Sequence, residues 1–196
     1  MTMNATLSDA LLRRRTIRLY RQEPIPESDL RYMIDAARLT SCAANLQRLR
    51  FVVVRTASLV NQVLSHTAWG AYVRPARTPK AGENGPTAFV AVAGPRDANA
   101  PLLHADAGAA IQSMQLAAWT RGLGCCWIGS VEHEPVERLL GIPAELSLLY
   151  VLAVGYPAEN PVCEDISAEE SRKYYLDEQG TLHVPKISLE DVSRWL

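Results

Sequence analysis

The sequence predicts an α+β fold on three observations. Compact runs rich in β-branched residues read as strands, apolar residues recur on one face of other stretches at helical spacing, and the two kinds do not alternate strictly. Strict alternation would point instead to a doubly wound parallel sheet. The 196 residues carry 20 Lys and Arg against 21 Asp and Glu, with 48% apolar residues and only 11 Gly and 12 Pro, a balance that excludes disordered, collagen-like and disulfide-scaffold chains. A chain of this length buries roughly 70% of its unfolded surface, so one core without staples, and one domain over residues 1–196, is expected. A net charge of −1 argues against coating nucleic acid or an acidic membrane.

Ser8 to Arg14 reads as a short helix opened by Ser8-Asp9 as a cap. After the Pro24-Ile25-Pro26 break, Leu30, Met33, Ile34 and Ala37 line one helical face. Arg50 to Val54 is a buried strand, and a helix with Leu59 and Val63 follows. From Trp69 to Gly85 the pattern dissolves among prolines and glycines, the mark of a long loop with a functional role. Thr87 to Ala93 is a second strand, closed by Gly94-Pro95. The longest helix, His104 to Arg121, stops at Gly122 and carries the seam Ala107, Ile111, Met114 and Ala118, suited to close packing in a core or across a subunit interface. Cys125 to Ile128 is a third strand ending at Gly129, Pro135 to Leu140 a helix, and Leu148 to Val154 a fourth strand ended by Gly155-Tyr156-Pro157. The tail is polar, with a last apolar piece from Leu182 to Ile187.

Met1 to Leu12 shows no basic region followed by an apolar run, and no stretch approaches the roughly 20 apolar residues of a membrane span. Cys42, Cys125, Cys126 and Cys163 have no ligand-like spacing, and strand alternation sends Cys125 and Cys126 to opposite faces. A soluble, cytoplasmic protein with buried thiols is expected.

Several constellations fail. Gly122-Leu123-Gly124 starts like a dinucleotide fingerprint but meets Trp127 at the third glycine, and it runs from helix to strand. The chain has no phosphate loop of the GxxxxGK[ST] type and no GxSxG elbow, and His133-Glu134 lacks the second histidine of a zinc motif.

Three segments carry chemistry. Arg13-Arg14-Arg15-Thr16-Ile17-Arg18 offers planar guanidinium forks and a hydroxyl, which suit a phosphate monoester; a solvated basic face or a nucleic-acid contact fits the same run. Asn45 and Gln47, set among small residues, suit the edge of a heteroaromatic ring or a polar helix end. The strand end Ile128-Gly129-Ser130 can present bare backbone N–H groups to a flat ligand, or simply turn.

In this order the segments resemble the flavin-dependent nitroreductase family. Arg14-Arg15-Thr16-Ile17-Arg18 is similar to its Arg-Arg-Ser-hydrophobic-Arg pattern, and Pro24-Ile25-Pro26, Ala36-Ala37-Arg38, the Gly122–Ser130 run, Leu152 to Pro157 and His183-Val184-Pro185-Lys186 look like the family too. The resemblance implies a nitroreductase-like fold with a central mixed or antiparallel sheet flanked by helices. It also implies a homodimer whose C-terminal segment reaches the partner, with non-covalent FMN at the subunit interface. By position, Arg14, Arg15, Thr16 and Lys186 would meet the FMN phosphate and Arg18 the pyrimidine end of the ring. Asn45 and Gln47 would come from the partner subunit, and Ile128, Gly129 and Ser130 would face the N5 and O4 edge. The implied reaction is ping-pong hydride transfer from NAD(P)H to a nitroaromatic, a quinone or another small electrophile, with no catalytic acid or base and no metal. Trp69 and Tyr72 would stack on the acceptor or pack beneath the loop.

Where many members read Pro-Ser-Ala-Gly-Asn-x-Gln-Pro-Trp, this chain has Ser41-Cys42-Ala43-Ala44-Asn45-Leu46-Gln47-Arg48-Leu49. That change favours an alternative on the same fold: dehalogenation, cofactor biosynthesis, or flavin handling without nitro reduction. A nucleic-acid module built on Arg13, Arg14, Arg15, Arg18 and Arg21 is a third reading; it predicts steep salt dependence and no chromophore, and the acidic residues elsewhere in the chain speak against it.

Overall fold

The computed structural model describes residues 6–196; the reading of the opening stretch also covers residues 1–5, which lie outside the described residues. The main sheet contains β1 (Tyr20–Arg21), β2 (Arg50–Val54), β3 (Ala88–Pro95), β4 (Gly124–Ile128) and β5 (Leu146–Pro157). β5 is the hub. It pairs with β3, β4 and β1, β2 adds to the outer side of β3, and every pair is antiparallel.

Helices cover both faces. Ala88, Val90 and Val92 of β3 turn toward α2 (Glu27–Arg38) and α4 (Ala100–Thr120), while Phe89 and Ala91 turn toward α3 (Ala57–Ser65) and α5 (His133–Leu140). Two-sided burial explains why β3 reads as a continuous apolar run rather than an alternating one. Cys125 and Cys126 divide between the same two clusters, as strand alternation requires. The α+β reading therefore holds, with the sheet antiparallel throughout. The seam Ala107, Ile111, Met114 and Ala118 is fully buried within this chain, and Leu102, Ala105 and Gln112 are left on the exposed side of α4.

Several boundaries differ from the sequence reading, each for a local reason. The first helix, α1 (Leu7–Arg13), is capped by Thr6 rather than Ser8-Asp9. The Asp9 N–H donates to Thr6 Oγ1 at 3.1 Å and the Thr6 N–H donates back to the Asp9 carboxylate at 3.3 Å. α4 starts four residues earlier because Asn99 accepts the Leu102 N–H at 3.3 Å and Pro101 sits in the first turn, where no N–H is needed. Gly94-Pro95 and Gly155-Tyr156-Pro157 continue their strands, since β3 pairs as far as Pro95 with Leu146 and β5 as far as Pro157 with Tyr20.

The glycines at two of these places allow close approach. A Cβ at Gly124 would lie 2.5 Å from Ile17 Cγ1, and one at Gly155 would lie 2.6 Å from the Tyr20 ring. Their absence lets the Ile17–Tyr20 stretch lie directly on the sheet.

The tail forms a second sheet that the sequence reading reduced to its apolar piece: β6 (Val162–Ile166) parallel to β8 (Leu182–Ile187), with β7 (Tyr175–Leu176) antiparallel on the other side. Polar contacts fasten it. Both ring nitrogens of His183 meet carboxylates, Nδ1 that of Glu164 and Nε2 that of Asp177 at 3.0 Å, and Tyr175 stacks on the imidazole with centroids 4.9 Å apart. Residues 69–85 form turns only, as expected of a long loop. A four-residue helix, α6 (Leu189–Val192), ends the described elements. Among the described residues no helix is long and apolar enough to cross a membrane.

Candidate active site

The chain leaves α1 as an extended segment that lies beside β4. Thr16 bridges Cys125 in parallel, and the Ile17 N–H donates to the Cys125 carbonyl at 3.0 Å. The four residue steps from Arg14 to Arg18 span about 13 Å of extended chain, so the two arginines stand at opposite ends of the segment. Cys125 turns its carbonyl to this edge of β4, and strand alternation turns the backbone groups of Trp127 the same way. Beyond Cys125 that edge opens into a cleft of about 190 Å³, lined by Arg18, Ile128, Gly129, Ser130 and Tyr174.

The long loop roofs this cleft. Trp69 is buried, its indole N–H donating to Thr67 Oγ1 at 2.7 Å, and Arg74 Nε donates to the Trp69 carbonyl at 2.6 Å. From the tail, Tyr174 meets Tyr72 edge-on at 5.1 Å, and the Arg18 guanidinium lies 4.7 Å above the Tyr174 ring. Trp69, Tyr72 and Tyr174 thus belong to the roof.

At the other end of the segment, Arg14 is half-buried and its Nε is buried without a hydrogen-bond partner. Burial pulls the Arg14 guanidinium below its ordinary value, an effect that Cys125 partly opposes. An unpaired buried donor is costly, and an anion with several acceptor oxygens would satisfy it. Arg15 is committed in part, donating to the carbonyls of Leu12 at 3.0 Å and Arg14 at 2.7 Å and so closing α1. A phosphate at Arg14 and Thr16, with a flat ring beside Arg18 and Gly129, fits the residues present.

Asn45 and Gln47 lie elsewhere in the chain. They are exposed on a tight turn in which Ala44, Asn45 and Gln47 all adopt left-handed backbone, with φ of 49°, 53° and 48°. Asp106 of α4 holds the turn: the Ala43 N–H donates to one carboxylate oxygen at 2.9 Å and Arg48 Nη2 to the other at 3.1 Å. Gln47, Arg48 and Asp106 line a separate cleft of about 280 Å³. Lys186 is exposed on β8, paired in register with Asp165, and does not line the Arg18 cleft. The structure therefore brings Arg18 together with Ile128, Gly129 and Ser130 at one cleft, places Arg14, Arg15 and Thr16 further back along the same segment beside Cys125, and leaves Asn45, Gln47 and Lys186 apart from both within one chain.

Other chemistry is weaker. Burial pushes both neighbouring thiols up, Cys125 beyond the physiological range and Cys126 to about 11, so neither is a nucleophile. No cluster among the described residues could hold a metal ion. A cavity of about 800 Å³ between α2 and the edge of β2 shares no residue with the cleft. Its charges are already paired, Glu27 with Arg31 at 2.6 Å and with Arg55, while Arg121 covers Tyr32 at 4.5 Å.

Sequence reasoning missed Glu159, Arg77 and the Asp106–Arg48 pair. Of these only Asp106 left a signal, as a single acid between Leu103 and Ala107 on an apolar helix face.

An arginine segment laid along the open edge of an antiparallel strand, with a cleft at one end of it, is a site suited to an anionic ligand with a flat ring. The chain belongs to the Nitroreductase family, whose profile matches residues 11–156. It is 32% identical to a protein of Thermus thermophilus named NADH dehydrogenase, an alignment covering 80% of this chain and 92% of the relative. A nitroreductase-type protein from Desulfovibrio desulfuricans, solved in complex with FMN, superposes with a TM-score of 0.62 at 27% identity, covering 85% of this chain and 92% of that one. The NADPH:FMN oxidoreductase of Vibrio harveyi, solved with NAD+, superposes with a TM-score of 0.68 at 21% identity, covering 95% and 81%, and supports the fold.

Proposed function

We propose that this protein is an FMN-dependent NAD(P)H oxidoreductase that reduces a small flat electrophile, a nitroaromatic or a quinone, and works as a cytoplasmic homodimer of single-domain chains. The observation that carries the reading is the arginine segment laid along β4: a buried unpaired guanidinium nitrogen at Arg14 and, one strand segment away, Arg18 beside an open backbone edge. FMN, when bound, supplies alternate hydride acceptance from NAD(P)H and hydride donation to the acceptor, which is why a ping-pong order is proposed.

The chain's own residues bind and polarise. Arg14, Arg15 and Thr16 would hold the phosphate, and Lys186, which lies away from its own chain's cleft, would join them from the C-terminal segment of a second copy. Arg18 faces the pyrimidine end of the ring, where a fixed cation favours the negative charge that arises on reduction. Gly129 and Ser130 offer backbone N–H groups to the opposite edge. Asn45 and Gln47, which the chain presents on an exposed turn away from its own cleft, reach the site of a second copy. Trp69, Tyr72 and Tyr174 exclude water and leave a flat space for either substrate.

The deciding experiment is a visible spectrum of the purified protein, followed by identification of any chromophore released by heat. About one FMN per chain, bleached by NADH or NADPH and recoloured by a quinone, is the expected result; a colourless protein that takes up no added FMN refutes the proposal.

The turn rebuilt around Asp106 and Arg48 supports a second reading, a different reaction on the same flavin. In that case NAD(P)H oxidation stays slow with every nitroaromatic and quinone, although the bound flavin itself is reduced.

A further inference from the structure

Glu159 lies beyond the stretch matched to the family and two residues past the end of β5, yet both oxygens of its carboxylate are engaged inside the protein. Oε1 accepts the backbone N–H groups of Arg18 at 2.5 Å and Leu19 at 3.2 Å, and Oε2 accepts Arg77 Nε at 2.8 Å. Only 6% of the Glu159 side chain and 15% of that of Arg77 are exposed. Arg77 belongs to the long loop, and its Nη2 continues to the carbonyl of Gly180 in the turn between β7 and β8 at 2.5 Å. One buried ion pair therefore joins the arginine segment, the roof loop, the end of β5 and the tail sheet.

Placement matters here more than strength. Two consecutive N–H groups on one carboxylate oxygen fix the backbone from which the Arg18 side chain departs, while Tyr174 fixes where its guanidinium lies. Arg18 lines the cleft together with Cys126, so fixing its backbone fixes one wall of the cleft. We infer that Glu159 and Arg77 are a positioning pair that holds Arg18 at the cleft and ties the roof loop to it. This rests on the flavin reading. The pair sets how strongly reduced FMN is held relative to oxidised FMN, and how tightly the roof stays closed.

Two variants test it. Glu159→Ala removes the anchor for Arg18. Glu159→Gln with Arg77→Gln keeps an acceptor for the two N–H groups, leaves no unpaired buried charge and loosens the loop. Apoprotein is titrated with oxidised FMN and with dithionite-reduced FMN, and chymotrypsin cleavage at the exposed Tyr72 is followed on the apoprotein. For Glu159→Ala the Kd for oxidised FMN is expected to rise about tenfold and that for reduced FMN several-fold more. For the amide pair, oxidised FMN binding is expected to stay within about twofold, with cleavage about tenfold faster. If Glu159→Ala does not fold, the amide pair decides alone. Folded variants with the parent's two Kd values and cleavage rate overturn the inference and leave the flavin reading standing; a parent that takes up no FMN overturns both.

Discussion

Replacing Gly124 by alanine tests whether the cofactor segment is seated by close approach to β4. The added Cβ would lie 2.5 Å from Ile17 Cγ1, 2.8 Å from Ile17 Cβ and 3.0 Å from Pro157 Cγ. Carbon contacts settle at about 3.5–4.0 Å, so Ile17 must retreat by about 1 Å. Ile17 is 1% exposed inside a packed cluster, and its retreat carries Thr16 and Arg18 with it. Overpacking of this kind costs about 1–3 kcal/mol, and the lower chain entropy of an unfolded alanine returns about 0.4–1 kcal/mol. A net loss of about 1–2 kcal/mol corresponds to a fall in Tm of roughly 2–8 °C at this size. The displaced donors should also raise the FMN Kd about tenfold, near the worth of one hydrogen bond to a charged group. The assays are thermal unfolding of the apoprotein and fluorescence titration with FMN. Gly129→Ala is the control, because its Cβ would meet Tyr150 at an ordinary 3.7 Å, and its stability should stay within about 0.5 kcal/mol. Adding Ile17→Ala should cost at least about 1 kcal/mol less in the Gly124→Ala background than in the parent. Unchanged melting and FMN affinity, or strict additivity with Ile17→Ala, would refute the reasoning.

Three further outcomes are expected. Arg14→Gln should raise the FMN Kd about 10–100-fold and leave riboflavin binding unchanged, because the lost partner is the phosphate; equal losses for both ligands would place the phosphate elsewhere. Asp106→Ala leaves Arg48 half-buried and unpaired, and urea unfolding should show a loss of about 3 kcal/mol, with the turn carrying Asn45 released; a loss below about 1 kcal/mol would show the turn standing without its anchor. Hydrogen bonds from Asp177 and then Glu164 hold His183 above its usual 6.5, so the stability it lends the tail sheet is complete below about 6.5 and is lost as pH rises through the raised value. Asp177, held below 3.8 chiefly by His183, contributes above about 3.8 and loses its share as pH falls through its lowered value. Amide exchange in β8, corrected for intrinsic rates, should therefore be slowest between about 4 and 6.5 and quicken toward 8, and His183→Gln should flatten the alkaline rise. A parent profile that is flat from 6 to 8.5 would show that the imidazole does not fasten the sheet.

The parts of this molecule that were legible in the sequence are those decided by local chemistry. Val90 and Phe89 point to opposite apolar layers, so their run could only be a buried strand, and Gly122 at a φ of +73° ends α4 as a glycine stop should. The arginine segment was visible as a basic run, although by itself it fitted a solvated face or a nucleic-acid contact as well as a phosphate site. Polar residues whose role depends on partners far along the chain were not legible. Glu159 looks like any tail glutamate until the fold brings it to Arg18, 141 positions away. The tail sheet escaped for the same reason: β6 and β7 are short and only partly buried, and side chains that recognise one another across a turn hold them. Asn45 and Gln47 were recognised by type, yet their left-handed backbone follows from Asp106, on a helix near the middle of the chain.

The long-range seating of residues 14–18 also governs when the site comes into being during synthesis. Ile17 waits for Cys125, and Arg18 waits for Glu159, so the arginine segment is made long before the partners that seat it. At about 5–20 residues per second, the interval from Arg18 to Glu159 is roughly 7–28 s, during which the basic stretch has neither its strand nor its acid. Nascent chains halted before Glu159 should therefore hold flavin at least about tenfold more weakly than the full chain, and full grip should arise only once the tail has emerged.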